Sequence, residues 1–307
     1  MSAPNPGAPD PQLSVVIAVC ETEAALDACL SALEAQRDDA TEVLAAANIE
    51  APPGLLERHP WLTWLQLSNK TLIPELWAAG ITAARGEIVV TTTAHFEPAP
   101  DWLRQISAAH RRLGASGIGG AILPPEAGSN ADWATYFLRY SGYSERRAEQ
   151  RVEDLAADNA AYRGSDLRAH RATWLNGFWE PDFHCRVLDA GGSLVFVPEI
   201  QVTLRTGFGA GRFCAQRRQH GRQFGRSRAA GWVLGLRLIA LASSPLVPLI
   251  LLAKVTRRSL SQPGHRARFL AALPWLLLFI LCWSVGETEG YWRSVCRGAG
   301  GDTGSPG

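Results

Sequence analysis

The chain has 307 residues, 47% hydrophobic and 19% charged, enough for one large domain or one domain with an appendage. Its formal net charge of +1 hides an uneven distribution, because no Asp or Glu occurs from Arg205 to Arg268. That asymmetry predicts a basic face turned to phosphate or an anionic membrane, and no nucleic-acid partner is expected. Residues 1–11 have neither a basic start nor an apolar core, so they read as a disordered lead rather than a signal peptide. The six cysteines form no C-x-x-C pair and read as reduced thiols, most of them in apolar patterns.

Leu13–Val19 is an apolar run of strand length, followed by Thr22 as a helix cap and Leu26, Leu30 and Leu33 at helical spacing. Glu42–Ala47 reads as a second strand and Leu62–Leu67 as a third. Ile73, Leu76, Trp77 and Ile81 mark a helix with Pro74 in its first turn. Gly86 ends that helix, and Glu87–Thr92 follows as a buried parallel strand. Its loop, running to Trp102, carries Thr93, His95 and Glu97 where an open α/β sheet places its ligands, beyond the carboxyl ends of strands. A helix marked by Leu103, Ile106, His110 and Leu113 stops at Gly114. The strand–helix alternation predicts a mostly parallel sheet with helices on both faces. The absence of G-x-G-x-x-G after the first strand disfavours a dinucleotide-binding oxidoreductase.

Beyond Gly117 the rhythm changes. Trp133, Tyr136, Phe137 and Tyr140 form a helical aromatic stripe, either a packing face or a sugar-stacking platform. Arg146–Asp154 reads as a solvated charged segment, and Asp158–Arg163 as a strand. Pro181 opens a helix capped by Glu180 and stopped at Gly191–Gly192; Ser193–Val197 is a strand ended by Pro198.

The segment 211–230 is basic, with Arg212, Arg217, Arg218, Arg222, Arg226 and Arg228. Two apolar runs follow within 231–286, separated by a connector with Lys254, Arg257, Arg258, Arg266 and Arg268. A bilayer core needs about 20 apolar residues of helix. An Arg at its centre costs roughly 2.5–3.5 kcal/mol, but Arg237 lies near one end of its run. A spanning hairpin would carry the basic connector across the bilayer, whereas a re-entrant or interfacial hairpin would keep both basic segments on one side. Residues 287–307 read as a flexible tail.

Several stretches carry a resemblance. Leu13–Val19 with Leu26, Leu30, Leu33 and Gln36, then Ala79–Val89, Pro98–Leu103, Asn159–Arg163, and Phe178–Glu180 with Arg186, Gly191–Gly192 and Val197–Glu199 stand in the order and spacing of a family 2 glycosyltransferase. The resemblance covers roughly Leu13 to Arg228. It implies the GT-A fold over 12–210, a mostly parallel α/β sheet, joined to a C-terminal apolar helical hairpin. It implies a membrane-associated enzyme, its catalytic domain on the cytoplasmic side, moving a sugar from a nucleotide-sugar donor to a lipid-linked or other membrane-proximal acceptor, with inversion. Two departures stand out. The family's base-binding Asp is replaced by Ala47-Asn48, and its metal-holding D-x-D by Thr92-Thr93-Ala94-His95. A non-catalytic binding or scaffold relative is therefore the second reading.

The resemblance assigns the catalytic base to Glu180, with Asp182 as runner-up. Inverting transfer needs one carboxylate base and a means to stabilise the departing diphosphate. Donor binding falls to Ala18, Cys20, Glu21, Asn48, Lys70, Thr93, His95, Asn159 and Arg163. Arg217, Arg218 and Arg222 are expected to take the acceptor or lipid phosphate. His95 and Glu97 form an H-x-E able to replace D-x-D as ligands for Mg or Mn, with imidazole better suited to the transition metal. Cationic side chains alone are the other route to neutralising the diphosphate.

Overall fold

The computed structural model describes residues 12–20, 23–205, 209–260 and 264–299. The expected lead, Glu21, Thr22 and residues 300–307 lie outside them. The chain divides into two units, Met1–Pro124 with Tyr143–Thr206, and Pro125–Gly142 with Gly207–Gly307.

The first unit runs β1 (Leu13–Val19), α1 (Glu23–Glu34), β2 (Thr41–Ala47), α2 (Leu55–Arg58), β3 (Leu62–Gln66), α3 (Ile73–Ala83), β4 (Ile88–Thr93), β5 (Phe96–Pro98), α4 (Trp102–Leu113) and β6 (Gly117–Leu123). After α5 (Asn130–Arg139), which belongs to the second unit, it resumes with β7 (Gln150–Val152), β8 (Asn159–Arg163), α6 (Gly164–Ala169), α7 (Arg171–Trp174), α8 (Glu180–Asp189) and β9 (Leu194–Leu204). The nine strands form one sheet in the order β3-β2-β1-β4-β8-β6-β9-β5, with β7 also on β9. β1 to β4 pair in parallel, as their continuous apolar runs require of strands covered on both faces. β8 reverses the direction, lying antiparallel between β4 and β6. β6 and β9 are parallel, and β5 and β7 are antiparallel to β9. The sheet is therefore mixed.

Helix boundaries follow the sequence signals. α4 buries Leu103, Ile106 and Ala109 while Arg104, Arg111 and Arg112 face solvent, and Gly114 stops it in the left-handed region at φ 55°. α8 begins one residue earlier than expected, with Trp179 as its cap and Glu180 already helical. β9 does not end at Pro198. Its register against β6 jumps between Gly120↔Val197 and Ala121↔Gln201. Proline is tolerated there because a residue inside a bulge has no ladder bond to donate. Gly120 makes the bulge possible, since a Cβ on it would lie 1.8 Å from the Ile200 carbonyl oxygen. The charged segment 146–154 is exposed along most of its length, and it contains the short strand β7.

The second unit holds α5, α9 (Ala210–Ala229), α10 (Leu234–Ser243), a 3₁₀ turn at Ser244–Leu246, α11 (Val247–Leu260) and α12 (Arg266–Ala299). α12 continues through the segment expected to be a flexible tail. The 3₁₀ turn joins α10 to α11, so that Leu234–Leu260 and Arg266–Cys296 are two helices long and apolar enough to cross a membrane. The aromatic stripe of α5 is a packing face: Trp133 meets His265 at 5.2 Å between ring centres, and Phe137 meets Phe269 at 5.3 Å.

α9 runs parallel to the second half of α12, with Phe213 against Phe279 at its start and Gly225 against Gly290 further on. The approach is glycine to backbone in both directions. A Cβ on Gly221 would lie 2.2 Å from the Trp283 carbonyl oxygen, and one on Gly286 only 1.9 Å from that of Arg218. Small residues four apart on each helix allow this contact. The seam is flanked by Arg217, 4.2 Å above the Trp283 ring, and by Arg218 and Arg222, which both pair with Glu289. Buried Glu287 accepts from Trp283 Nε1 at 3.1 Å and from the Tyr291 hydroxyl at 2.8 Å.

Candidate active site

In the first unit the carboxyl ends of β1, β2 and β4 stand side by side, with Ala18 in register with Ala46 and with Thr93. The chain leaves each strand into the same edge. Asn48 donates its backbone N–H to the Val19 carbonyl and its side-chain amide to the Thr71 carbonyl at 2.9 Å. That ties the loop after β3, with exposed Lys70, to the end of β2. Trp77 Nε1 donates to the Thr92 carbonyl at 2.8 Å, and Thr92 Oγ1 to that of Asp158 at 2.9 Å. Thr93 is buried, and its hydroxyl has no hydrogen-bond partner among the described residues. Cys20 is half-buried just beyond β1.

α8 reaches the same edge by a separate anchor. Phe178 N–H donates to the Pro74 carbonyl at 2.7 Å, fixing the chain before Glu180 to the first turn of α3. Glu180 is half-buried at the N-terminus of α8, where the helix dipole favours a carboxylate, whereas Asp182 is exposed. One turn on, His184 is 1% exposed and contacts Asp154 Oδ1 through Nδ1 at 2.7 Å and the Tyr162 hydroxyl through Nε2 at 2.9 Å. A carboxylate oxygen only accepts, so the tautomer that suits both contacts donates from Nδ1 to Asp154 and accepts a hydrogen bond from the Tyr162 hydroxyl at Nε2. Tyr143 donates to the other Asp154 oxygen at 3.3 Å. Burial, then the Glu180 and Asp154 carboxylates, raise the Tyr162 hydroxyl well above its ordinary range; Tyr143 is raised by burial and the same two acids. The Asp154–His184–Tyr162 chain was missed in sequence reasoning. Its one local signal is the i,i+4 spacing of Glu180 and His184, which sets both on one side of α8.

Several expected site residues serve elsewhere. Asn159 is 1% exposed and accepts from Trp102 Nε1 at 2.8 Å. Its amide donates to the Ala121 and Ile200 carbonyls at 2.9 Å each, so both ends of the side chain are spent on the fold. Arg163 lies at the other end of the sheet. The antiparallel run of β8 sets it opposite Ile88, the first residue of β4, and its guanidinium donates to the Gly114 carbonyl. It lines a cavity of about 480 Å³ there with His110, Arg111 and Arg168, away from the strand ends that carry Thr93. Glu97 pairs with Arg205 Nε at 2.8 Å, while His95 is 2% exposed. A carboxylate already neutralised by a guanidinium is a poor metal ligand. Among the described residues no three of His, Cys, Asp and Glu are grouped to hold a metal. The H-x-E pair therefore does not fit a Mg or Mn centre. In the second unit, Arg218 and Arg222 are occupied by Glu289 and Arg217 by the faces of Trp283 and Phe213, so none of the three is an unengaged phosphate ligand.

At this edge of the α/β sheet the strand ends therefore gather a buried hydroxyl, an imidazole, an amide and a helix-borne carboxylate. Residues 64–171 match the glycosyl transferase family 2 model. The match runs from within β3 to the first residue of α7, including His95 and Asn159, and stops before Glu180. Among solved structures the chain is similar to GalNAc-T7 crystallised with UDP, GalNAc and Mn2+, at 14% identity and a TM-score of 0.48. That likeness covers 64% of this chain and only 44% of the other, less than half its length. No curated protein matches the sequence.

Proposed function

We propose that the protein transfers a glycosyl group, with inversion, from a nucleotide-sugar donor to a hydroxyl of a membrane-proximal or lipid-linked acceptor. The observation that carries this reading is Glu180, held at the start of α8 by the Phe178–Pro74 bond beside the strand ends of a sheet that matches, over residues 64–171, the glycosyl transferase family 2 model. In this mechanism the Glu180 carboxylate takes the acceptor proton as the hydroxyl attacks the anomeric carbon. The bond to the donor diphosphate breaks, and the diphosphate leaves with both bonding electrons. Glu180 has the position for this work and Asp182, out in solvent, does not. Thr93 and Asn48 lie where the donor's polar groups would come, and exposed Lys70 supplies a cation for the leaving diphosphate. No step is assigned to a metal on His95 and Glu97. The catalytic domain faces the cytoplasm in this reading, where nucleotide sugars are made.

A second reading, a sugar-nucleotide-binding relative without turnover, is favoured by Ala47-Asn48 and Thr92–His95 standing where the family carries acids. A panel of sugar nucleotides assayed with and without divalent metal separates the two. Turnover lost in Glu180→Gln supports the enzyme. Donor binding without turnover under every condition supports the binding protein.

A further inference from the structure

We propose that the apolar hairpin does not cross the bilayer: the second unit lies in a single anionic leaflet, with its basic connector, both ends of α12 and the catalytic domain all on one face. The inference rests on the membrane association in the proposed function and decides its geometry.

The first reason is the chain tether at the start of α12. α5 is joined to the first unit by only five residues, 125–129, on one side and three, 140–142, on the other. Fully extended, these links reach no more than roughly 20 Å, short of a hydrocarbon core of about 30 Å. Yet α5 holds the connector. Trp133 contacts His265, Arg268 lies over the same indole at 5.7 Å, and Phe137 contacts Phe269. The connector therefore stays on the side of the catalytic domain. The second reason lies at the other end. α9 starts within six residues of β9 and runs parallel to α12 along residues 279–291, in backbone contact at the glycine seam. If α12 spanned the bilayer, α9 would be carried across the hydrocarbon with it, and α9 bears six arginines.

The outward surface fits a leaflet. On α12, Leu270, Leu277, Leu278, Leu281 and Val285 are 64, 40, 41, 51 and 50% exposed and recur on one helical stripe. Phe269, Leu276, Phe279 and Ile280 on the opposite stripe are buried. On the helices before it, Ile239 and Ile250 are 64 and 63% exposed. The absence of Asp and Glu from Arg205 to Arg268 makes the charged border of this surface cationic, which selects an anionic leaflet over a second copy of the same basic surface.

Two measurements on the full chain test this. Flotation with phosphatidylcholine vesicles, with and without phosphatidylglycerol, is expected to show binding strengthened by the anionic lipid. Leu277→Glu with Leu281→Glu, both at exposed positions, is expected to weaken it roughly tenfold or more. Wild-type protein that stays unbound and elutes as a dimer overturns membrane association itself. Topology is read separately in sealed membranes, using a membrane-impermeant maleimide and peptide mass mapping. The thiols are Cys185 on α8, Cys296 near the end of α12, and the one introduced by Arg257→Cys in the connector. All three are expected to react from one face. A connector thiol that reacts only from the face opposite Cys185 overturns the single-leaflet arrangement while leaving membrane association intact.

Discussion

Placing a methyl group on Gly286 is expected to destabilise the second unit, against the usual helical preference for Ala over Gly. The new Cβ would lie 1.9 Å from the Arg218 carbonyl oxygen, where ordinary contact begins at 3.4 Å. α9 and α12 must then part by about 1.5 Å at the seam, a main-chain shift that no side-chain rotation relieves. Helix propensity returns about 1 kcal/mol. Overpacking of a close-packed contact costs about 1–3 kcal/mol. Separation also strains the Arg218 and Arg222 pairs with Glu289 and lifts Arg217 from the Trp283 ring. A net loss of about 1–2 kcal/mol is expected by adding these contributions. Denaturant unfolding in detergent, followed by tryptophan fluorescence, measures it, with Trp283 at the seam as a local probe. Gly235→Ala is the control, because nothing lies within 4 Å of its added methyl and propensity acts alone. If Gly286→Ala is as stable as Gly235→Ala, the helices are not in backbone contact and the seam argument fails.

Three further outcomes follow from the first unit. Glu180→Gln is expected to lower turnover by about 10²–10⁴-fold with donor binding retained, while Asp182→Asn keeps near wild-type turnover; equal losses in the two variants would refute the choice of base. Asn159→Ala leaves Trp102 Nε1 and the Ala121 and Ile200 carbonyls without their partner, each at about 1–3 kcal/mol, so the variant is expected to unfold at far lower denaturant. A variant of wild-type stability with weakened donor binding would return Asn159 to the donor site. Burial, opposed by a bond to the Ala161 backbone and aided by Arg163, lowers His110 from 6.5 to about 4. Its folded-state value lies below the unfolded one, so the unfolded chain binds the proton first. Stability is then complete above about pH 6.5 and falls by about 3 kcal/mol as the pH drops to about 4. His110→Leu is expected to flatten that part of the stability–pH curve, and an unchanged slope would assign it to other groups.

The strands with continuous apolar runs were legible in the sequence, because β1, β2 and β4 are buried along their length and bounded by turn residues. So was α4, whose apolar spacing and Gly114 stop coincide. Strand direction was not. Asn159–Arg163 reads the same forwards or backwards, and only the pairing of Thr92 with Asn159 reveals that Arg163 sits at the end of the sheet away from Thr93. The arginines of α9 carry no local sign that Glu289 would engage them, since that carboxylate is 71 residues from Arg218 and 67 from Arg222. Likewise His184 meets Asp154 and Tyr162 through three separate elements, a convergence that no spacing rule contains. The start of α8 was legible because its signal, Pro181, is local.

The bulge in β9 constrains chain length as well as composition. Before it, Leu194–Val197 are buried one after another; after it, Ile200, Val202 and Leu204 are buried and Gln201 and Thr203 are only half so. A strand covered on both faces thus becomes one covered on a single face, and three residues, 198–200, stand in the register jump. Losing or gaining one residue there would turn Val202 and Leu204 to the open face and bring Thr203 into the core. Insertions and deletions, common in surface connections, are therefore excluded from Pro198–Ile200. Any change in its length would have to come with a change in Asn159 and Gly120, which are fitted to the present one.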